Sequence, residues 1–267
     1  FKQKTAYEIR LSLVGSEMCI RDSDAVSAQE SHQRRRKVSI TLGFDVYGTL
    51  IDTSAIATAL REHVGDKASA FAALWRSKQL EYAFRRGLMD TYRDFGVCTR
   101  DALEYCCLEM KAPLADADKK TLMEEYLLLP AFPDARPGLE ALQRVGFNLF
   151  AFSMGRLDDV TALLEQAQLR SHFAGIISLE AIKCYKPTAA AYGYFVRETG
   201  AAPADAWLVS GNPFDVLGAV SAGICGAWVK RSPDAVLDPW DIAPTLIAED
   251  LSKLCEMLLA RLESTSG

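Results

Sequence analysis

The sequence is poor in the residues that build metal sites and disulfides. It has three histidines among 267 residues, and its seven cysteines include no C-x-x-C pair. The histidines lack the spacing of metal ligands, so a histidine-based metal site is not expected. An odd number of cysteines, most of them inside apolar periodic stretches, predicts reduced thiols in a cytoplasmic protein rather than disulfides.

The sequence also lacks an excess of positive charge and a long apolar run. The net charge is −5, which gives no electrostatic reason to expect a nucleic acid or an anionic membrane as partner. No apolar run approaches the ~20 residues that cross a bilayer. The start of the chain, which contains the basic run "QRRRK", does not resemble the rest. We expect residues 1–36 to be a disordered or non-native extension.

From residue 37 onward, short β-branched and apolar runs alternate with helical patterns. The predicted strands cover 38–44, 147–152, 175–178, 206–210 and 226–230. Strands separated by helices of this kind predict an α/β fold, a doubly wound, Rossmann-like parallel sheet. Ligands in such folds bind at the carboxyl ends of the strands.

Residues 54–131 interrupt this alternation, because they read as helix throughout. Four segments place apolar residues at helical spacing: 54–64, 67–89, 99–110 and 117–129. The insertion is too long for a simple crossover between two strands. We expect it to be a helical cap on a core formed by 37–53 and 132–264. A cap over strand ends can exclude water from a reaction.

Polar and charged side chains stand where four of the predicted strands end. They are Asp45 and Thr49 after the first strand, Ser153 at the end of the second, Lys186 after the third, and Ser210, Asn212 and Asp215 after the fourth. The carboxyl ends of parallel strands lie along one edge of the sheet, so these side chains should converge. A buried carboxylate is costly unless a neighbour needs its charge, and this cluster supplies such neighbours.

The motifs at these positions resemble the haloacid dehalogenase superfamily, and within it the type II L-2-haloacid dehalogenases. They are "DVYGTL" from Asp45, "LWRSKQLEY" in the insertion, "YKP" around Lys186 with Tyr192 six residues after the lysine, and "SGNPFD" from Ser210. The resemblance covers residues 38–232. It implies conversion of an (S)-2-haloacid and water into an (R)-2-hydroxyacid and halide, without a metal or other cofactor. The implied partner is a small 2-haloacid or related carboxylate, and a homodimer is also implied.

The resemblance implies a role for each residue of the cluster. Asp45 is the nucleophile, which forms an ester that water then hydrolyses. Lys186 keeps Asp45 ionised. The remaining catalytic residues are Thr49 and Ser210, which orient the carboxylates, and Asn212 and Asp215, which aim or activate the water. The substrate-binding residues are Arg76 facing the halide, Ser153 and Met154 near the substrate carboxylate and halide, and Tyr47 and Tyr192 lining the site.

Two positions argue against a magnesium-dependent phosphatase of the same superfamily, and a third departs from the dehalogenases. Tyr47 and Gly211 stand where those phosphatases carry an acid and a metal-binding acid, so metal-free chemistry is favoured, whereas Met154 replaces the asparagine usual in the dehalogenases. A thioether cannot donate a hydrogen bond to a departing anion, so weakened or altered halide release is expected. Other leaving groups, such as fluoride or a strained ring nitrogen, stay open. So do a phosphatase, another hydrolase of small carboxylates, and a non-catalytic binding protein.

Overall fold

The computed structural model describes residues 40–265, so the extension expected over residues 1–36 lies outside the described residues. Six strands form one sheet: β1 Thr41–Phe44, β2 Asn148–Ser153, β3 Gly175–Ser178, β4 Ala206–Ser210, β5 Cys225–Val229 and β6 Leu246–Ala248. Their order is β3-β2-β1-β4-β5-β6, and each neighbouring pair is parallel. The prediction of a doubly wound α/β sheet is confirmed.

Nine α-helices are described with this sheet. Four follow β1: α1 Ile56–Val64, α2 Ala68–Leu88, α3 Phe95–Glu109 and α4 Asp116–Tyr126. The other five connect or follow the later strands: α5 Ala135–Val145, α6 Leu157–Gln166, α7 Ala189–Thr199, α8 Pro213–Ser221 and α9 Leu251–Thr265. We use the name cap helices for α1–α4. None of the helices within residues 40–265 is long and apolar enough to cross a membrane.

The central strands are buried on both faces, which explains their continuous apolar sequence. Every residue of β1 and β4 is buried, as expected for parallel strands that helices cover on both sides. Gly43 in β1 allows α7 to approach closely, because a Cβ at this position would lie 2.6 Å from the Phe195 ring. This close packing holds the end of β1, where Asp45 follows.

The structure corrects the sequence prediction at several points. Residues 54–131 are not helix throughout, because turns and irregular backbone occupy residues 89–94 and 110–115. The third cap helix begins at Phe95 instead of residue 99, since the Asp94 side chain accepts a hydrogen bond from the Val97 amide at 3.0 Å and caps the helix. The last cap helix ends at Tyr126 instead of residue 129. Strand β6 was missed because three residues are too few for a recognisable alternation.

The described part of the chain contains six of the seven cysteines. All six cysteines within it are free: Cys98, Cys106, Cys107, Cys184, Cys225 and Cys255. Four of these six thiols are buried. Cys19 lies outside the described residues. The fold between residues 40 and 265 is therefore held by packing and hydrogen bonds rather than by disulfides.

Candidate active site

The chain turns sharply directly after β1, and this turn holds Asp45 at the edge of the sheet. The Asp45 amide still donates to the Val209 carbonyl of β4 at 3.0 Å. The carbonyl of Val46 then accepts from the amides of Leu50 and Ile51 at 2.9 and 3.0 Å. Gly48 has a φ of +82°, a conformation that favours glycine. The turn brings the chain back so that later side chains can reach the Asp45 carboxylate.

Lys186 lies in the centre of the cluster and is fully buried. Its ammonium nitrogen donates to Asp45 Oδ1 at 3.0 Å, to Asp215 Oδ2 at 2.8 Å and to the Phe152 carbonyl at 2.9 Å. An ammonium has three N–H donors, so all three are used. Burial lowers the pKa of Lys186, but Asp215 and Asp45 outweigh it, so the pKa is raised above its usual value. The lysine therefore stays charged between the two carboxylates.

Asp215 is the second carboxylate, and α8 places it with no exposed surface. Its Oδ1 accepts a hydrogen bond from the Tyr192 hydroxyl at 2.8 Å, and its Oδ2 contacts Lys186. Burial raises the pKa of Asp215, Lys186 opposes this, and Asp45 adds to it. Burial and Asp215 raise the pKa of the Tyr192 phenol, so its hydroxyl remains a donor. Tyr192 thus lies behind Asp215 and is in contact with it.

The two Asp45 oxygens have different surroundings. Oδ2 accepts from Thr49 Oγ1 at 2.7 Å and from Asn212 Nδ2 at 2.8 Å, whereas Oδ1 accepts only from Lys186 among the described residues. The Thr49 hydroxyl in turn accepts from the Gly211 amide at 2.8 Å. Oδ2 is therefore held by two hydrogen bonds, whereas Oδ1 accepts one and has more of its lone pairs available.

Ser210 supports this arrangement from the end of β4. Its hydroxyl accepts from the Asn212 amide at 3.1 Å and lies 3.5 Å from the Thr49 hydroxyl. The Asn212 side chain also donates to the Tyr47 carbonyl at 3.0 Å. Ser210 and Asn212 therefore connect the loop after β4 with the turn after β1.

Arg76 reaches this turn from α2. Its Nη2 donates to the Tyr47 carbonyl at 3.0 Å and lies 3.5 Å from Asn212 Oδ1, and its Nη1 donates to Gln79 Oε1 at 2.7 Å. The guanidinium is part-buried in these contacts. The cap helices thus contribute a cation beside the Asp45 turn.

The remaining predicted residues lie around the same turn. The Ser153 hydroxyl accepts from the Gly155 amide at 3.0 Å, and no acceptor for its own hydrogen is found between residues 40 and 265. Met154 is buried next to it. The Tyr47 ring stacks on that of Tyr126, with centroids 5.9 Å apart. Burial raises the pKa of the Tyr47 phenol, so it remains protonated. All eleven residues singled out from the sequence lie in or directly around this cluster.

Sequence reasoning missed two supporting side chains. Arg231 donates to the Thr49 carbonyl through Nε at 3.0 Å and to Asp134 Oδ2 at 2.6 Å. It follows β5, so the rule that pointed to the other strand ends also applies to it. Gln79 stands three residues after Arg76, and that helical spacing places both side chains on neighbouring parts of one face.

The cluster offers two carboxylates, and the backbone prevents a third at the position where the phosphatases carry one. A Cβ on Gly211 would lie 2.3 Å from the Gly48 carbonyl oxygen, so no side chain fits there. No group of three histidine, cysteine, aspartate or glutamate side chains that could hold a metal is found among residues 40–265. An ammonium occupies the space between the two carboxylates. The donor set does not fit Mg²⁺, which prefers a shell of oxygen ligands.

Comparison with known proteins places this arrangement in a family. A family model described as haloacid dehalogenase-like hydrolase matches residues 41–223. The chain belongs to the haloacid dehalogenase-like hydrolases. A haloacetate dehalogenase, H-2 of Moraxella sp. (strain B), is 35% identical over 190 residues, which cover 71% of this chain and 85% of the relative.

Solved structures agree with this assignment and identify the type II L-2-haloacid dehalogenases as the group. The crystal structure of one L-2-haloacid dehalogenase superposes with a TM-score of 0.79 at 31% identity, covering 82% of this chain and 98% of the other. The enzyme of Xanthobacter autotrophicus, solved with chloropropionic acid covalently bound, gives a TM-score of 0.77 at 28% identity with the same coverage. The resemblance inferred from the motifs is confirmed.

Proposed function

We propose that this protein is a hydrolytic dehalogenase that converts an (S)-2-haloacid and water into an (R)-2-hydroxyacid and halide through an ester on Asp45. The observation that carries the proposal is the contact of one buried ammonium, that of Lys186, with both Asp45 and Asp215. The relatives named as haloacid and haloacetate dehalogenases support the substrate class. No metal or other cofactor takes part in the proposed steps.

In the first step, an Asp45 oxygen attacks C2 of the haloacid. The new C–O bond forms as the carbon–halogen bond breaks, and the halide leaves with the bonding electron pair. One displacement of this kind inverts C2, which gives the (R) product. We assign the attack to Oδ1, because Oδ2 already accepts two hydrogen bonds. The Lys186 ammonium holds this attacking oxygen in place through a hydrogen bond of 3.0 Å.

The substrate is held by groups on either side of Asp45. Ser153 has a hydroxyl hydrogen available for the substrate carboxylate, because its oxygen already accepts from the Gly155 amide. Arg76 supplies the positive charge that stabilises the departing halide. A halide ion is a very weak base and leaves without taking a proton, so the reaction needs no general acid at the position of Tyr47. A phosphatase, in contrast, requires an acid there to protonate its leaving group.

In the second step, water attacks the carbonyl carbon of the Asp45 ester. Asp215, held by Tyr192 and Lys186, accepts the proton from the water. Asp215 passes this proton to the oxygen attached to C2 as the bond between that oxygen and the carbonyl carbon breaks, so the hydroxyacid leaves with an oxygen that came from Asp45. The water oxygen stays on Asp45, the remaining proton of its carboxyl group is lost to solvent, and the enzyme is regenerated with both carboxylates ionised.

Met154 modifies this reaction. The asparagine usual at this position in the dehalogenases can donate a hydrogen bond, whereas the thioether of Met154 cannot. Halide stabilisation then depends mainly on Arg76. We propose slower release of chloride than in relatives that carry the asparagine, with the same ester intermediate.

The test is a single turnover in ¹⁸O-water with enzyme in excess over (S)-2-chloropropionate. We expect unlabelled hydroxyl in the product and label in a peptide that contains Asp45, with labelled product after several turnovers. Chloride release should depend on the (S) enantiomer and be insensitive to EDTA. Label in the hydroxyl group during the first turnover would refute the ester. Metal-dependent hydrolysis of p-nitrophenyl phosphate, without chloride release, would replace this function with that of a phosphatase.

A further inference from the structure

A glutamine side chain is buried among the cap helices next to Arg76, and the reaction proposed above does not use it. Gln79 lies one helical turn after Arg76 on α2, and it has no exposed surface. Burying a primary amide is unfavourable unless its donors and its acceptor find partners. The contacts of this amide therefore indicate what it does.

The amide connects three cap helices. Its Oε1 accepts from Arg76 Nη1 at 2.7 Å and from the Tyr126 hydroxyl at 3.0 Å. Its Nε2 donates to the Thr99 hydroxyl at 2.6 Å, and that hydroxyl donates to the Phe95 carbonyl at 2.8 Å. One side chain of α2 is thus tied to α3 and to α4 at the point where the guanidinium leaves its helix.

Only one orientation of the amide satisfies these partners. A guanidinium has donors and no acceptor, so Arg76 must face the amide oxygen. The hydroxyl hydrogen of Thr99 is already donated to a backbone carbonyl, so Thr99 must accept from the amide nitrogen. Donor and acceptor chemistry therefore determines which atom of the amide is the oxygen and which is the nitrogen.

Gln79 and the Asp45 turn hold the guanidinium from two sides. Nη1 is bound by Gln79, and Nη2 is bound by the Tyr47 carbonyl at 3.0 Å. Tyr126, which also donates to Gln79, stacks on the Tyr47 ring. A free arginine side chain samples many rotamers, and fixing it beforehand removes that entropic cost from the reaction. Because the holding group is a neutral amide, it leaves the charge of Arg76 available to an anion.

We propose that Gln79 is a positioning residue that holds the Arg76 guanidinium against the Asp45 turn without neutralising it, and so sets the stabilisation of the departing halide. This rests on the proposed function, in which Arg76 faces the halide. Gln79 itself touches neither the substrate nor the halide. A carboxylate of the same shape would form an ion pair with Arg76, and an apolar side chain would release the guanidinium.

Two variants test separately whether the residue at this position must be neutral and whether it must form the hydrogen bonds. Gln79→Glu retains an acceptor for Arg76 and Tyr126 but adds a negative charge, whereas Gln79→Met leaves the charge of Arg76 unchanged but removes the hydrogen bonds. Bromide binding is measured directly by titration calorimetry, and turnover is measured with the fluoro, chloro and bromo forms of (S)-2-halopropionate. We expect bromide to bind about tenfold more weakly in both variants, the loss expected for one hydrogen bond to a charged group.

The dependence on the leaving group provides a readout that a loss of stability alone would not change. Fluoride and chloride need more anion stabilisation than bromide, so both variants should lose more turnover with the fluoro and chloro substrates. The change should appear in kcat more than in KM, because the substrate carboxylate is bound elsewhere. Cys106→Ala is the matched control, since Cys106 is also buried in the cap helices and lies outside this network.

The outcomes distinguish this inference from the proposed function. If the Gln79 variants melt at lower temperature but match Cys106→Ala in bromide affinity and in leaving-group dependence, Gln79 is only structural and the inference fails. If the wild-type protein releases no halide but the variants still bind bromide more weakly, the inference about Arg76 holds and the proposed function fails. Unchanged bromide affinity in both variants overturns the inference whatever the activity.

Discussion

Replacing Lys186 by methionine tests the central contact of the site. Methionine has a similar length and no charge, so the change removes the ammonium and leaves most of the volume filled. Three acceptors lose their donor: Asp45 Oδ1, Asp215 Oδ2 and the Phe152 carbonyl. Removing one partner of a buried ion pair costs about 3–5 kcal/mol. We expect a loss of this size in the free energy of unfolding at pH 8.

The loss should depend on pH, and its sign follows from the carboxylates. In the wild-type protein, burial already raises the pKa of Asp215 and Lys186 opposes this rise, so removing the ammonium raises the pKa of Asp215 further above its unfolded value. A group whose pKa is raised by folding contributes stability below its unfolded pKa, and this stability is lost as the pH rises through the folded pKa. The variant should therefore be closer to the wild-type protein at pH 5 than at pH 8. The raised pKa of Lys186 affects the wild-type protein only in the alkaline range, above this window.

The assay is urea unfolding of both proteins at pH 5, 6.5 and 8, with chloride release measured in parallel. Turnover should fall at least about a thousandfold, since a loss of about 4 kcal/mol in the transition state corresponds to that factor. Lys183→Met is the matched control, because Lys183 is an exposed lysine three residues earlier, and it should change stability by less than about 0.5 kcal/mol. A deficit that is the same at all three pH values would refute the electrostatic reasoning, as would retained turnover.

Three further substitutions address other parts of the site. Met154→Asn should raise kcat for chloride release from (S)-2-chloropropionate about tenfold by restoring a hydrogen-bond donor to the anion, and an unchanged kcat would contradict the account of Met154. Tyr192→Phe removes the hydroxyl that holds the second carboxylate, so mass spectrometry should detect accumulated ester, and a variant without accumulation would argue against a role in the second step. Gly211→Asp should lose chloride release without gaining metal-dependent phosphatase activity. Gly193→Asp is its control, because Gly193 is a helical position with open space around it, and this variant should keep wild-type kinetics. Phosphatase activity in Gly211→Asp would show that the backbone tolerates the acid.

The convergence at the strand ends was predictable from the sequence, because the parallel sheet makes it a geometric necessity. Asp45 follows β1, Ser153 ends β2 and Ser210 ends β4, and adjacent parallel strands bring these residues to one edge. Lys186 follows β3 through a loop, and both its place after this strand and the motif around it pointed to the site. Their roles came from the resemblance to a family, since a carboxylate at a strand end is in itself compatible with a simple turn.

The network around Gln79 was not predictable from the sequence. Helical periodicity shows which side of α2 is apolar, but it does not show how that helix is rotated relative to α3 and α4. A glutamine among apolar neighbours can be exposed or buried depending on this rotation. Arg231 was within reach of the strand-end rule, but the run "KRSPD" resembles a solvated loop. In both cases tertiary packing, rather than local pattern, decides the contacts of the side chain.

Two glycines explain why no third carboxylate stands beside Asp45 and Asp215. Gly211 lies against the Gly48 carbonyl, and a Cβ on Gly48 would in turn lie 3.3 Å from Asn212 Oδ1. This close approach of two loops lets the Gly211 amide reach the Thr49 hydroxyl and lets Asn212 reach Asp45. The contact that orients Asp45 is therefore the same contact that leaves no room for a third acid. In the proposed reaction, such a site balances the charge of its carboxylates with Lys186, and it suits leaving groups that depart without a proton.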